Sequence, residues 1–518
     1  MSKVKVYLDA MIPREDFYVQ SESIGGQRIQ TIGVEQLEQR SIVVKSLRKP
    51  DFQRETNHWD VNQLVTFLKS YVDNELIPSV ILWKSDKNMF IIDGAHRISA
   101  LRAWIEDDYG DRNISLKYYG HDITEDQKKS AEKIRKRINN EIGPYSLLRG
   151  ALEEPEGIDE VTLGRSSVLT SRAFDLQWVE GDASKAETSF FKINTQGTPL
   201  HKTEERLLRN RRKPIAITAR AIARAGTGNK YWSHFEKGAQ EEIEGLAREL
   251  FNLLFQPELS DPIKTLDLPL AGTTSPIEAL NLLMDFIEHI CGKKADGTVD
   301  DEFDSEDIDG EQTVRALKRC LKVVKRITGN GGSSLGMHPA VYFYNHRGKH
   351  SQHLFLAIVS LINKSLNSND KKFFKKYTEV RSQLEEALVK NKDLLSQAIT
   401  NIYSGQRVPK LAAMFEELIC KPDGEISEES ILSSLGLEVR IISNELETKR
   451  GKFSKDTKAQ ILLRESLDSA IRCPICNGFL DPSKAVSYDH IERFREGGGG
   501  HAENGQLTHP YCNSGVKC

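Results

Sequence analysis

Met89-Phe90-Ile91-Ile92-Asp93-Gly94-Ala95-His96-Arg97 runs from an apolar strand, through an aspartate–glycine turn, into a helix, and this stretch decides how the N-terminal part of the chain is read. Met89 to Ile92 is a short apolar run of strand length, and Ile98 to Ile105 carries helix-period apolar positions. Upstream, Val80 to Trp83 is a second strand across the turn-like Lys84–Asn88. Before it, Asp60 can cap a helix whose apolar face is Val61, Leu64, Val65, Leu68 and Val72. The unit is therefore helix, strand, strand, polar loop, helix. A strand near Ala173 to Val179 and helices at Glu125 to Glu141 and Ala183 to Lys192 carry this α/β pattern to about residue 213. The short apolar start, Val4 to Leu8, predicts an edge strand followed by loops. Where a strand turns into a helix, backbone amides and an arginine can gather phosphate oxygens. The same pentapeptide also fits a tight turn with a capping aspartate, and both alternatives stand at this point.

With 518 residues and 38% hydrophobic content, the chain has material for about three domains, each with its own core. The start Met1-Ser2-Lys3-Val4 has no signal-peptide core, and the longest apolar stretch, Leu354 to Ile362, is about half a membrane span. A cytoplasmic protein without a membrane partner is expected. The net charge of −3 does not announce a generic nucleic-acid binder, so DNA contact must come from local patches. Two basic runs are candidates: Arg206, Arg209, Arg211, Arg212 and Lys213, and Lys371, Lys372, Lys375 and Lys376 around Phe373-Phe374. Either run alone also fits a solvated helix face.

Two further segments flank the Asp93–Arg97 junction: Pro50-Asp51-Phe52-Gln53-Arg54 with Trp59, and Phe191-Lys192-Ile193-Asn194-Thr195-Gln196-Gly197-Thr198-Pro199-Leu200 followed by Glu204. In this order the three resemble the ParB/sulfiredoxin-like nucleotidase domain of GmrSD-type restriction enzymes and related defence proteins. The resemblance implies a nucleotide site, with a nucleoside triphosphate as candidate ligand. It places Gln53, Arg54, Asp93, Gly94, His96 and Arg97 near the phosphates, with Asn194 to Leu200 completing the pocket. Ala95 stands where those members usually have glutamine, and Lys192 where arginine is commoner.

From about 214 to 450 the pattern is helical: Gln240 to Phe255, Pro276 to Cys291, Thr313 to Thr328, Leu354 to Ser365 and Phe374 to Tyr403. The acidic run Asp296 to Glu311 and Gly329-Asn330-Gly331-Gly332 read as surface loops. A last helix, capped by Asp456, leads into Cys473.

Four of the seven cysteines, Cys473, Cys476, Cys512 and Cys518, crowd into the C-terminal end, which suggests metal and not disulfides. Cys291, Cys320 and Cys420 lie in helix-like sequence and read as core thiols. Cys473-Pro474-Ile475-Cys476 and His509-Pro510-Tyr511-Cys512 each hold two soft ligands two residues apart, so that one tight turn can aim both at one ion. Four such ligands close a tetrahedral zinc site whose role is structural. Between them, Ala485 to Ile491 is strand-like and contains adjacent Asp489 and His490; Gly497 to Gly500 and Asn504 follow. Phosphodiester hydrolysis needs a base for water and a hard cation for developing charge. His490 can supply the first, and Asp489 with an amide oxygen can hold magnesium or manganese.

This order of Cys-x-x-Cys, Asp-His-Ile, paired glycines, a loop asparagine and a knuckle ending Cys-Asn resembles the HNH endonuclease family, with its ββα-metal fold. The resemblance implies that His490 is the general base, that Asp489 and Asn513 ligate the catalytic ion, and that Asn504 braces the loop orienting the histidine. Cys473, Cys476, His509 and Cys512 would hold structural zinc. His509 stands where many members have cysteine, and only a short final helix fits after Asn513. His501, after four glycines, is a local competitor as ligand.

The expected architecture is α+β and multidomain: an N-terminal ParB-like α/β domain over 1–213, a helical middle domain over 214–455 and a C-terminal zinc-stapled ββα-metal HNH domain over 456–518. The expected function is metal-dependent DNA cleavage or nicking regulated by the N-terminal nucleotide-binding or DNA-sensing domain. It resembles restriction of modified or phage DNA. The alternatives are a non-catalytic ParB-like nucleotide-gated DNA-binding regulator and an HNH nuclease acting on RNA. Monomer and homodimer both remain open.

Overall fold

The computed structural model describes residues 6–15, 28–50, 59–85, 88–120, 123–196, 202–227, 229–272, 276–292, 301–420, 425–437 and 452–517. The chain forms two compact units, Met1–Arg211 with Thr227–Tyr231, and Arg212–Gly226 with Trp232–Cys518. No helix among the described residues is long and apolar enough to cross a membrane.

The first unit is built on a mixed sheet. Its strands are β1 (Arg14–Glu15), β2 (Thr31–Gly33), β3 (Leu47–Pro50), β4 (Val80–Ser85), β5 (Asn88–Asp93) and β6 (Ala173–Val179), in the order β1-β3-β5-β4-β6-β2. β4 and β5 pair antiparallel, with Trp83 opposite Phe90; β3 lies parallel to β5 and β6 parallel to β4. Strand side chains alternate between faces, and β5 is apolar on both. Ile91 joins Val80, Leu82 and the Val61–Val72 and Ala95–Ile105 helices in the main core. Phe90 and Ile92 turn the other way, against Trp83 and against Ala186 and Phe190 of the Ala183–Gln196 helix. A strand buried on both sides reads as a continuous apolar run, as this one does. The Val61–Val72 helix begins at Asp60, whose carboxylate accepts the Gln63 amide at 3.0 Å while the Gln63 side chain accepts the Asp60 amide. This reciprocal cap satisfies two otherwise orphaned donors.

Of the strand expected over Val4 to Leu8, residues 4–5 lie outside the described residues, and 6–8 depart from expectation. Val6 and Leu8 are fully buried in the core but form no strand, and Asp9–Met11 is a 3-10 turn. Side chains, not a ladder, satisfy the polar groups here: Lys49 Nζ donates to the Asp9 carbonyl, and Arg102 to that of Met11.

The second unit is helical up to its C-terminal module. The Pro214–Ala223 helix packs on Lys237–Phe255 and Pro276–Cys291, Lys237–Phe255 on Glu311–Ile327, and Gln352–Asn367 on Arg407–Cys420. The periodicity of Phe374 to Tyr403 predicts one helix, whereas the structure has two, Lys371–Lys390 and Lys392–Asn401. The break is at Asn391, which leaves helical geometry (φ −104, ψ 23) and returns its side-chain amide to the Ala387 carbonyl. The next residue, Lys392, is drawn inward, where Nζ donates to the carbonyls of Ala340, Val341 and Tyr344 at 2.6–2.9 Å. Part of the acidic run is also internal. Asp307 is buried and accepts the amides of Gly310 and Thr313, capping the Glu311–Ile327 helix. The small C-terminal sheet is an antiparallel pair, β7 (Ser487–His490) with β8 (Gly505–Thr508).

Candidate functional site

The first knuckle is a tight turn closed by its own backbone. The Asn477 amide donates to Cys473, and the Cys473 amide donates to Gly478. Asn477 adopts the left-handed conformation that this turn requires (φ +53). The second pair follows β8, with Pro510 after His509 and a π-helical turn over Cys512–Val516. Together they bring one ligand atom each from Cys473, Cys476, His509 and Cys512 within 4.8 Å of one another. Three sulfurs and one imidazole nitrogen at this spacing are a zinc donor set. The histidine is already oriented for it. Nε2 lies 2.9 Å from the Phe479 carbonyl, to which it donates, leaving the Nδ1 lone pair facing Cys476 Sγ at 3.3 Å and Cys512 Sγ at 3.8 Å. The thiols compete for protons. Hydrogen bonds from Cys476 and Cys512 hold Cys473 far below the usual thiol range, while the contact with Cys473 pushes Cys476 up to about 11 and Cys512 well above its ordinary value. A cation on such a group removes the competition, because a coordinated thiol is deprotonated.

Next to the cluster, the β7–β8 hairpin positions the remaining C-terminal candidates. Asp489 is buried opposite Gln506, and His490 is exposed opposite Gly505. The Asp489 carboxylate accepts the Gln506 amide at 2.8 Å and the Lys517 ammonium at 2.7 Å. Lys517 also donates to the His490 carbonyl. Asn513 Nδ2 donates to Ser487 Oγ at 2.8 Å and to the Tyr488 carbonyl at 3.3 Å, so its amide lies along the same strand. Asn504 is buried and ties both ends of the 491–499 loop. It accepts the Glu492 amide at 2.7 Å and donates to the carbonyls of Glu492 and Gly499. His501 is exposed at the start of the turn preceding Asn504.

Lys517 and Gln506 were not singled out by the motif. The signal for Lys517 was its i+4 spacing from Asn513, which brings two side chains to one face of a helical turn.

The Gly329–Gly332 segment is a surface loop, as expected, and it also braces the module. Asn330 Oδ1 accepts the Val486 amide at 3.0 Å, Gly332 accepts Ser514 Oγ, and Ser334 accepts the Tyr511 amide.

In the first unit, β5 ends at Asp93, and the Ala95–Ile105 helix starts after Gly94, which takes φ +99. A Cβ on Gly94 would stand 2.9 Å from Val80 Cγ2, so only glycine fits this turn. The capping-aspartate alternative is not what forms. The helix has no side-chain cap, because Asp93 is turned to Arg97, whose Nη2 lies 2.7 Å from its carboxylate and 3.1 Å from the Ser79 carbonyl. His96 stacks on Trp59 at 5.7 Å, linking the first motif segment to the second. Gln53 and Arg54 lie outside the described residues, as does the 197–200 part of the third segment. Asn194 is in the Ala183–Gln196 helix, with its side chain outside the described residues.

Residues 34–212 match the family model described as GmrSD restriction endonuclease, N-terminal domain. No curated protein and no solved structure matches the chain. The matched segment spans β3 to β6 and the Asp93–Arg97 junction. The chain thus carries an N-terminal GmrSD-family domain and, at its other end, a Cys3His cluster fit to bind a metal ion.

Proposed function

We propose that the chain is a metal-dependent DNA endonuclease of the HNH type, regulated by its GmrSD-family domain. One observation carries this reading: the strand bearing Asp489 and His490, the brace Asn504 and the amide of Asn513 meet at one hairpin seated on the Cys3His cluster. In this reading Cys473, Cys476, His509 and Cys512 hold zinc, which staples the module and takes no part in catalysis. Asp489 and Asn513 hold magnesium or manganese, which supplies Lewis-acid stabilisation of phosphate charge when bound. The donor chemistry suits such an ion. The ammonium of Lys517 already rests on Asp489, so the carboxylate sits where positive charge is favoured. His490, exposed on the adjacent position of the strand, takes the proton from the attacking water. Asn504 keeps the 491–499 loop from swinging away from it.

The N-terminal domain, in the same reading, senses a nucleotide or modified DNA through Gly94, His96 and Arg97. The helical region over 214–455 couples that domain to the module over 456–518. Restriction of phage or modified DNA follows from joining a GmrSD-type domain to a nuclease.

A second reading is favoured by one contact. If Lys517 holds Asp489 permanently, no divalent ion enters, and the zinc module serves only to dock a non-catalytic, nucleotide-gated DNA-binding regulator.

Supercoiled plasmid, unmodified and modified, incubated with magnesium or manganese and each nucleoside triphosphate, separates the two. Nicking or cleavage that is lost in His490→Ala at unchanged zinc content is the expected result. Equal cutting by the variant defeats the assignment of His490, and no cutting under any condition by folded, zinc-loaded protein moves the function to the regulator. Matched RNA in the same assay distinguishes the nucleic acid.

A further inference from the structure

Two basic runs stand out in a chain of net charge −3, and the structure treats them differently. The run at 206–213 is largely neutralised: Arg209 pairs with Glu205 and Arg211 with Glu187, while Arg212 and Lys213 pair with Glu306 and Asp304. The other run opens the Lys371–Lys390 helix. Lys371, Lys372, Lys375 and Lys376 are all exposed, and among the described residues none of the four is in an ion pair. The helical phase explains the arrangement, since Phe373, Phe374 and Tyr377 occupy the inner face and are buried. Asp370 is the nearest acid in sequence, and its carboxylate caps the helix by accepting the Phe373 amide at 3.0 Å. Like charges one turn apart weaken a helix, so nothing in the fold itself calls for this cluster.

Its position gives it a use. Phe374, beneath the lysines, meets Tyr511 at 6.4 Å, and the Arg326 guanidinium lies over both rings, 4.3 and 5.6 Å from their centres. Tyr511 directly precedes Cys512 and Asn513. The helical turn that bears the lysines therefore packs, through its inner face, on the knuckle whose following turn carries Asn513 and Lys517.

We propose that this face is a docking surface for the phosphate backbone of duplex DNA, holding the strand beside the module that carries His490. The proposal rests on the nuclease reading above and names the surface that reading lacks. Four flexible point charges, with both phenylalanines turned inward, suit phosphates and not base edges. In a protein of negative net charge, an unneutralised cluster of this kind is where a polyanion gathers.

The test is anisotropy of a fluorescein-labelled DNA duplex with full-length His490→Ala protein, without magnesium or manganese, over a range of salt. The four lysines are changed together to glutamine, which keeps side-chain length and helix propensity. A control changes four exposed lysines of the Glu125–Glu141 helix, Lys128, Lys129, Lys133 and Lys136, to glutamine, so that net charge falls equally. The expected result is about tenfold weaker binding and a salt slope shallower by about 3 for the first variant alone, since each phosphate contact contributes about 0.9 to that slope. Equal behaviour of both variants overturns the proposal, as does a parent that does not bind the duplex, or an effect confined to a matched RNA duplex. Plasmid cutting by the unmutated chain is scored separately. A chain that cuts but binds independently of these lysines loses only the surface. A chain that never cuts but loses binding with them loses only the nuclease.

Discussion

At the scale of single residues, Lys517 sets the charge balance around Asp489. Its ammonium sits on the buried carboxylate of Asp489 and touches the His490 carbonyl, so it neutralises the group expected to hold a divalent ion. If the two cations compete for one position, Lys517→Met leaves Asp489 without its counter-charge and costs about 2 kcal/mol or more in zinc-loaded protein without added magnesium. Magnesium or manganese should then restore most of that loss, read as a recovery of Tm that the parent does not show. A variant whose Tm ignores both ions would remove Asp489 from the list of metal ligands. The order and spacing of Asp489, His490, Asn504 and Asn513 are a motif, which is why the sequence offers them as candidates. Gln506 had no such signal, because a hydrogen bond across a hairpin has no fixed sequence signature, and Lys517 was marked only by its spacing from Asn513.

At the scale of elements, the Lys371–Lys390 helix is the seat of the first cysteine knuckle of the Cys3His cluster. Fully buried Arg381 pairs with Glu385 at 2.7 Å and donates to the carbonyls of Leu335 and Gly336. Glu385 in turn accepts the Phe479 amide at 2.6 Å and the Tyr342 hydroxyl at 2.9 Å. Gly478 is required here, since a Cβ would stand 2.6 Å from Arg381 Nε. Ser382 and Glu386 add contacts to Asn477 and Arg472 on the outer edge. Phe479 also supplies the carbonyl that orients His509. Replacing Glu385 by alanine strands a buried guanidinium and a buried amide, with an expected loss of about 3–5 kcal/mol in urea unfolding. Because Phe479 is loosened with it, zinc affinity should fall about tenfold or more in competition with a chelating dye. Unfolding without any change in zinc affinity would show that the helix supports the fold but not the metal. The periodicity of this helix was readable, but its end at Asn391 was not, because the break follows from Lys392 reaching three carbonyls remote in sequence.

At the scale of the whole molecule, the helical unit stores histidines in neutral form. His338 is buried and His350 half-buried, and loss of water around the ring pulls each down to about 4 from an ordinary 6.5. His338 Nδ1 accepts the Ala340 amide, and His350 Nε2 donates to the Leu270 carbonyl. For a base whose folded pKa is depressed, the unfolded chain takes up protons first. Stability is therefore intact above about pH 6.5 and is lost as pH falls from there towards 4, by up to about 3 kcal/mol for each histidine. Thermal unfolding followed across that window should show the decline. His338→Asn, which keeps an acceptor for the Ala340 amide but cannot titrate, should show a smaller one. An identical decline in the variant would place the acid sensitivity elsewhere.

The amino-acid sequence by itself determined most of the local structure. The β4 and β5 strands, the turn at Gly94, the capped helix after Asp60 and the two knuckles follow from periodicity, capping and ligand spacing, which act over a few residues. Tertiary structure decided which polar groups meet. It turned Asp93 from a cap into the partner of Arg97, and it tied the surface loop Gly329–Gly332 to the metal module. It also neutralised much of one basic run while leaving the lysines at 371–376 without ion-pair partners among the described residues. The physical reason is the same in each case. Backbone propensity is set by near neighbours in the chain, whereas the partner of a charge is set by distance in space, which only the folded chain defines.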